Sequence, residues 1–532
     1  MITFRKSLSL LLSAGLSVSL LAGCGSPDSG TAEGPSTTVE IVNKEGFPIV
    51  SEPLTLTMMA PDVGIQNWQD MKVMQEMEKL TGIQLKFANA PLDSFETKKN
   101  LVFASGEYPD ILYAASLTQA EEITYGSQGI LVPLEELLPE YAPNVQKILD
   151  EHPDIRKSII APDGHIYSLP RIDLNAVWYR GPLWYNGEFL KALSVEKLPE
   201  TTEELYTYLK RVKEEDPNGN GKADEIPLES VKIKDIRVWM LGAFGIYDEE
   251  LYVDDEEQVH FTPMDDSYLE YLKYMNRLWS EDLLDHEAFS QTDEQKKAKG
   301  RSNLLALFPD WHAYFTLGGE QSTEDPMFIP VKSDSVAAAA IAKHRGISTG
   351  QFAITSSNPA PEASLRWIDY IYTYEGALLF DKGPEGILWK YTDKDTLAKE
   401  WLPVPGGGDR EEYRATLTPN YGIASPMMVN DDVVKGLKSD FDDWVDKETK
   451  EKLVDRGARV PFPAIFLTQE EQAEVSGLLS DLRTYVEQME ARFITGQEPL
   501  GNWNNYIETL EKMGGSRVRE VYQGAYDRWK QS

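Results

Sequence analysis

LTLTMMAPDVGIQNWQDMKVMQEMEKLTGIQLKFANAPLDSFETKKNLVFASGEYPDILYA, residues 54–114, carries the reading of the fold. LTLTMM alternates with the period of a strand. Trp68, Met71, Met74, Met77 and Leu80 then recur at near-helical spacing up to Gly82, which predicts a helix with a glycine stop. IQLKFANA reads as a second strand, Phe95 to Ala104 as a second helix closed by Ser105-Gly106, and DILYAA as a third strand. Strand–helix–strand–helix–strand implies parallel pairing, because a parallel neighbour is reached only by a crossover.

The same logic returns further on. LWYN (183–186) is strand-like, and TTEELYTYLKRVKEE opens on a capping box, Thr201 with Glu204. LLALF (304–308) and FAIT (352–355) are buried-type strands. SLRWIDYIYTYEGALLF reads as one amphipathic helix with Leu365, Ile368, Ile371 and Tyr372 on one face. The tail is predicted helical: Thr468 and Glu471 form a capping box. Val475, Leu478, Leu479, Leu482, Tyr485, Val486, Met489 and Phe493 form an apolar stripe.

DPNGNGKADEIP (216–227) follows the first of these capped helices and is rich in oxygen donors. A hard divalent cation takes six or more oxygens at roughly 2.3–2.6 Å. Asp216, Asn218, Asn220, Asp224 and Glu225 can supply side-chain oxygens, and Lys222 a backbone carbonyl, around a turn that Gly219 and Gly221 permit. An EF-hand loop places its bidentate Glu at position 12, whereas here the acid arrives early and Pro227 stands there. A metal-free Asn/Gly turn is the alternative; the donor set favours a closed, structural calcium site.

The chain has 532 residues, enough for two or three domains at roughly 100–200 residues each. Lys and Arg number 52 against 87 Asp and Glu, a net charge of −35, and no basic stripe with interleaved aromatics occurs. Nucleic acid is therefore not an expected partner. The N-terminus MITFRKSLSLLLSAGLSVSLLAGCGS has a basic start, an apolar run too short to span a bilayer, and small residues before Cys24, the one cysteine of the chain. That layout is a secretory signal, and the lone cysteine excludes internal disulfides and cysteine-ligated zinc. Residues 25–52 are rich in Gly, Ser, Thr, Pro and acids, a flexible tether with a random-coil reach of roughly 30 Å.

Catalytic signatures are sparse. None of the six histidines lies in HExxH, and no GxSxG, Walker loop or GxGxxG occurs. Ser194-Val195-Glu196-Lys197 fits SxxK without a companion KTG. The 25 Tyr and 12 Trp point to recognition instead, since Tyr113, Trp178, Tyr179, Trp184, Trp239, Trp311 and Trp389 fall at loop-like or strand-end positions. A sugar presents an apolar C–H face to an aromatic ring and a hydroxyl rim to Asp, Asn and Arg. Core packing is the alternative for each of these rings.

Leu21-Ala22-Gly23-Cys24 resembles the bacterial lipobox. The order FASGEYPDILYA (103–114), GILVPLEELLPEYAPN (129–144), DGHIYSLP (163–170), LWYNGEFLKAL, the 216–227 loop, GPEGILWKY (383–391) and FITGQEPLGNWNNYIETL resembles the extracellular solute-binding lipoproteins of bacterial ABC importers. The likeness is to the large carbohydrate branch with the LplA/YtcQ-type lipoproteins and the alginate-binding proteins. It covers essentially the whole mature chain and implies an α/β, two-lobed periplasmic-binding-protein-like (type II) fold with a hinge and a helical C-terminal extension. Signal peptide 1–23 would be cleaved and Cys24 lipidated, leaving a tether over 24–52. One lobe is expected over 53–172 plus 346–386, the other over 173–345 plus 387–532.

The resemblance carries the calcium set onto Asp216, Asn218, Asn220, the Lys222 carbonyl, Asp224 and Glu225. It implies ligand contacts at Asp62, Tyr113, Trp239 and Trp311; Trp178 and Trp389 are added from their place near the presumed lobe crossings. The implied function is non-catalytic capture of an oligosaccharide by a monomer that docks on membrane permease subunits. A membrane-anchored polysaccharide hydrolase or lyase, and a binder of peptides or other solutes, are the rival readings. Arg171, Arg180, Arg237 and Arg345 are the cations that could suit an acidic sugar.

Overall fold

The computed structural model describes residues 42–174, 181–343, 345–456 and 458–531. Cys24, the expected signal peptide, the expected tether up to residue 41, Trp178 and Arg180 lie outside the described residues. No helix among the described residues is long and apolar enough to cross a membrane.

The opening stretch folds as its pattern predicts. Leu54–Met59 lies between Ile83–Phe87 and Ile111–Tyr113 and pairs in parallel with both. The connecting helix Lys72–Thr81 buries Val73, Met74 and Met77 and stops at Gly82, whose φ of 76° is left-handed. Three further strands complete a six-stranded sheet in the order Met428–Val429, Leu169–Asp173, Ile347–Ile354, Ile111–Tyr113, Leu54–Met59, Ile83–Phe87. Ile347–Ile354 runs antiparallel to both neighbours and bulges between Ser348 and Phe352. At that bulge Gly350 has φ +71°, and a Cβ there would lie 2.0 Å from the Leu117 carbonyl oxygen. Only glycine lets the two backbones approach this closely.

A second, three-stranded sheet is built from Leu183–Tyr185, Leu305–Pro309 and Ile226–Leu228. Its central strand, Leu305–Pro309, is buried at every residue, antiparallel to the first partner and parallel to the second. The helices Thr202–Glu214, Lys234–Gly242, Asp266–Ser280, Gln469–Ile494, Trp503–Lys512 and Gly515–Gln531 all feed one apolar core around this sheet. Both predicted capping boxes form, at Thr201 with Glu204 and at Thr468 with Glu471. The predicted tail stripe is internal: Val475, Leu479, Leu482, Met489 and Phe493 are buried.

Three expectations are corrected. SLRWIDYIYTYEGALLF is two helices, Pro361–Ile371 and Tyr374–Lys382. The Thr373 hydroxyl caps the second by accepting from Gly376 N (3.1 Å), so the chain turns there although the apolar face of the first is buried as predicted. The tether ends earlier than residue 52: Val42 bridges Val50, and Ile49 is fully buried with its N–H donating to Thr81 O (2.9 Å). Composition averaged over the segment hides the short apolar Ile49-Val50 pair. Finally, the stretch after 387 begins against the first sheet, since Met428–Val429 pairs with Leu169–Asp173. Phe441, Val445 and the later helices join the second core.

Candidate functional site

A cavity of about 520 Å3 opens just beyond the carboxyl ends of Ile226–Leu228 and Leu305–Pro309. Ligands of α/β sheets bind at such strand ends, because the loops leaving the strands are free to vary there. Two of the expected aromatics meet in it. Trp311, 44% exposed, follows directly on the central strand; Trp239, 3% exposed, comes from the Lys234–Gly242 helix and packs edge-on against Phe328 at 6.3 Å.

The polar groups of this cavity are fixed in advance. Asp310 accepts from Thr316 Oγ1 (2.6 Å), from Lys296 Nζ (3.2 Å) and from its neighbour's backbone N–H at Trp311 (2.7 Å). Its carbonyl oxygen accepts from Trp184 Nε1 at 2.9 Å. Lys296, nearly buried, also donates to Pro309 O (2.9 Å) and pairs with Asp293 (3.0 Å). Asp235 accepts from Lys232 N at 3.0 Å. Side chains locked this way lose little entropy when they meet a ligand. Behind the wall, burial and then the Asp285 carboxylate push the Glu229 carboxyl up to about 9. Gln291 Nε2 donates to Glu229 and to Ser230 O (2.7 Å), and the Lys299 ammonium lies 3.7 Å from the same carboxyl.

Asp310 and Lys296 were not singled out from sequence. Asp310 had a signal, a polar residue between a strand end and an aromatic in FPDWHAYF; Lys296 had none, since only the fold brings its helix under the strand end. An aromatic lip, a fixed carboxylate and a fixed ammonium suit a ring with an apolar C–H face and a hydroxyl rim.

The other expected contacts are not brought to this cavity: Tyr113 sits on the six-stranded sheet, and Asp62 and Trp389 sit in two separate two-stranded pairings. Asp62 is partly exposed in the short strand Pro61–Asp62, which pairs with Ala90–Pro91, its Oδ1 accepting from Gly64 N at 2.7 Å. Tyr113 is fully buried among Trp68 (5.8 Å), Trp367 (6.2 Å) and Phe380 (6.4 Å). Trp389 is 3% exposed and donates to Gly383 O at 2.8 Å. In both, core packing is the observed role: Ile111–Tyr113 is buried at every residue, and Trp389 is the buried residue of a strand whose Lys390 is exposed. Two of the arginines considered for acidic sugars are also engaged. Arg237 pairs with the buried Glu490 (2.6 Å) and with Glu249 (2.8 Å). Arg171 donates to Asn420 Oδ1 and Ser425 O, each at 3.3 Å.

In the 216–227 loop, Asp216 Oδ1 and Oδ2 accept from the N–H groups of Asn220 (3.1 Å) and Gly221 (2.9 Å). Asn218 Oδ1 and Asn220 Oδ1 accept from Asn220 N (3.0 Å) and Lys222 N (2.8 Å), and Asn220 Nδ2 reaches Asp224 Oδ1 (2.9 Å). Glu225 is buried, yet neither carboxylate oxygen has a hydrogen-bond partner. Burial, joined by the Asp216 carboxylate beside it, raises its pKa. A buried, unsatisfied carboxylate facing another is costly unless a cation sits between them. No group of three or more His, Cys, Asp or Glu among the described residues converges on a metal-sized site. Six oxygens are reached here only with the Asn218 and Asn220 amides and the Lys222 carbonyl.

Comparison with known proteins follows the same lines. The model of the family described as bacterial extracellular solute-binding protein matches residues 67–378. The fructooligosaccharide ABC transporter substrate-binding protein FusA of Streptococcus pneumoniae serotype 4 is 30% identical, over 99% of this chain and 98% of its own. The polygalacturonan/rhamnogalacturonan-binding protein YtcQ of Bacillus subtilis is 22% identical over 96% of each chain. Among solved structures, S. pneumoniae FusA in complex with kestose superposes with a TM-score of 0.77 at 27% identity, covering 90% of this chain and 99% of that one. An EF-hand mutant of FusA in complex with fructo-nystose gives the same TM-score of 0.77 at 26% identity, again over 90% and 99% of the two chains.

Proposed function

Because this chain belongs to the bacterial extracellular solute-binding protein family, we propose that it captures an oligosaccharide outside the cytoplasm and hands it to the permease of an ABC importer, breaking no bond. The observation that carries the reading is the cavity at the strand ends, where Trp311 and Trp239 meet a pre-fixed Asp310–Lys296 pair. FusA, similar along the whole chain, suggests a neutral fructooligosaccharide as the first ligand to try.

Binding is followed by hinge closure of two lobes, one around each sheet, the ligand favouring the closed form by binding it better. The first lobe takes in the segment up to about Val429 that pairs with its sheet. Asp62, partly exposed in the strand Pro61–Asp62, is the first-lobe group that would meet the sugar's hydroxyl rim. Cys24 would carry the lipid that holds a monomer to the membrane surface, with no part threaded through it.

The 216–227 loop would hold Ca2+ through Asp216, Asn218, Asn220, the Lys222 carbonyl, Asp224 and Glu225. The unsatisfied Glu225 oxygens support that assignment. Placed between the Thr202–Glu214 helix and the Ile226–Leu228 strand, the ion acts as a staple and takes no part in sugar contact.

The test is thermal shift with kestose, nystose, uronate oligomers and peptides, followed by product analysis. A ligand at 100 times its Kd stabilises by about 2.7 kcal/mol. Fructooligosaccharides are expected to raise the melting temperature and to be recovered intact. Cleaved or unsaturated products, or a response to peptides alone, would overturn the proposal.

A further inference from the structure

A second cavity, of about 270 Å3, shares no lining residue with the first. Its walls come from separated parts of the chain. Ile155 belongs to the helix Pro153–Lys157, and Ile347 begins a strand of the six-stranded sheet. Phe462 lies just past Ala458–Arg459, the strand that pairs in parallel with Ile341–Ala342. Trp529 closes the far side from the C-terminal helix Gly515–Gln531, which packs in the second core. An occupant would therefore lie across the segments that run between the two sheets.

The surface around it is apolar with a positive edge. Val460, 72% exposed, is the most exposed of the large hydrophobics at this rim, beside the Phe462 and Trp529 rings. Lys343 and Arg345 are both exposed at the same rim, and among the described residues neither forms an ion pair; Asp154 is the one acid of the lining. In a chain with net charge −35, two exposed cations without an ion pair beside exposed apolar surface make a patch that suits an anion, Arg345 also acting at longer range on the buried Asp248 carboxylate. We propose that this cavity is a second small-molecule site, specific for an organic anion with a flat apolar body: rings against Trp529 and Phe462, the anionic group at Lys343 and Arg345.

Two fluorescent probes with the same ring system test it on the intact folded protein: anilinonaphthalene sulfonate, and phenylnaphthylamine, which lacks the sulfonate. Saturable one-site binding of the sulfonate is expected, weakened roughly tenfold or more in the Lys343→Gln/Arg345→Gln double variant, since two surface charge contacts are lost. Val460→Asp should weaken it as well, while Trp311→Ala should leave it unchanged. Phenylnaphthylamine should bind less well and ignore the double substitution. Circular dichroism melts that superpose on the parent's exclude unfolding as the cause, and a preserved response to kestose keeps this site separate from the first. No saturable binding, equal binding of both probes, or loss of the sulfonate in Trp311→Ala would overturn the proposal.

Discussion

Trp311 and Trp239 look alike in sequence, each an aromatic expected at a loop-like or strand-end position, and the structure separates them by exposure, 44% against 3%. Trp311→Ala is therefore expected to weaken sugar binding at least tenfold with an unchanged melting temperature, read by calorimetric titration and thermal unfolding. Trp239→Ala removes a buried ring packed on Phe328 and should cost ~3–5 kcal/mol of stability in denaturant titrations, so that its binding defect follows its unfolding. If the two variants lose affinity with equal stability, the division of labour is wrong. Tyr113 and Trp389 illustrate why such rings cannot be sorted from sequence. A strand end offers the same local pattern whether its next layer is solvent or, as for Tyr113, Trp68, Trp367 and Phe380.

At the scale of elements, two polar clusters tie helices and hairpins to the second core. Arg237 on the Trp239-bearing helix meets Glu490 of the long Gln469–Ile494 helix in a two-pronged pair at 2.9 and 2.6 Å, with Tyr271 OH donating to Glu490 at 2.8 Å. Glu490→Gln leaves the mostly buried Arg237 with Glu249 as its remaining carboxylate and should lower stability by up to ~3–5 kcal/mol. Arg237→Met/Glu490→Leu should recover much of that loss, and denaturant unfolding of both variants checks it. The second cluster is His260 in the hairpin Leu251–Val253/Val259–Phe261, with Asp265 at 3.2 Å and Asp254 at 2.8 Å.

The hydrogen bond to Asp265, with Asp254 adding to it, lifts His260 to about 9. A raised histidine pKa stabilises the fold fully below its unfolded value near 6.5 and loses that contribution as pH rises through 9. Stability should thus fall by roughly 1–2 kcal/mol between these values, after allowance for partial solvent exposure. His260→Gln should flatten that slope; an unchanged pH profile would refute the assignment.

The whole molecule carries the prediction on metal and motion. Chelation should lower the melting temperature by several degrees, because Asp216 and the unsatisfied Glu225 oxygens then repel in a buried setting. Sugar affinity, measured below the new melting temperature, should change by less than about twofold, as the loop is not part of the cavity lining. Small-angle scattering should show a smaller radius of gyration with bound sugar than without. An identical radius in both states would remove hinge closure from the proposal.

What was readable from the sequence alone is what local physics dictates. The Thr201 and Thr468 capping boxes, the Gly82 stop and the alternating strand–helix pattern each depend on neighbours a few residues away, and each formed as predicted. The donor spacing of 216–227 is local in the same way. Only the tertiary structure decided that Met428–Val429 joins the first sheet and that Lys296 lies beneath Asp310. Those outcomes depend on contacts between residues far apart in the chain. There, burial and partner, set by what packs across the gap, override the periodicity that a single segment displays.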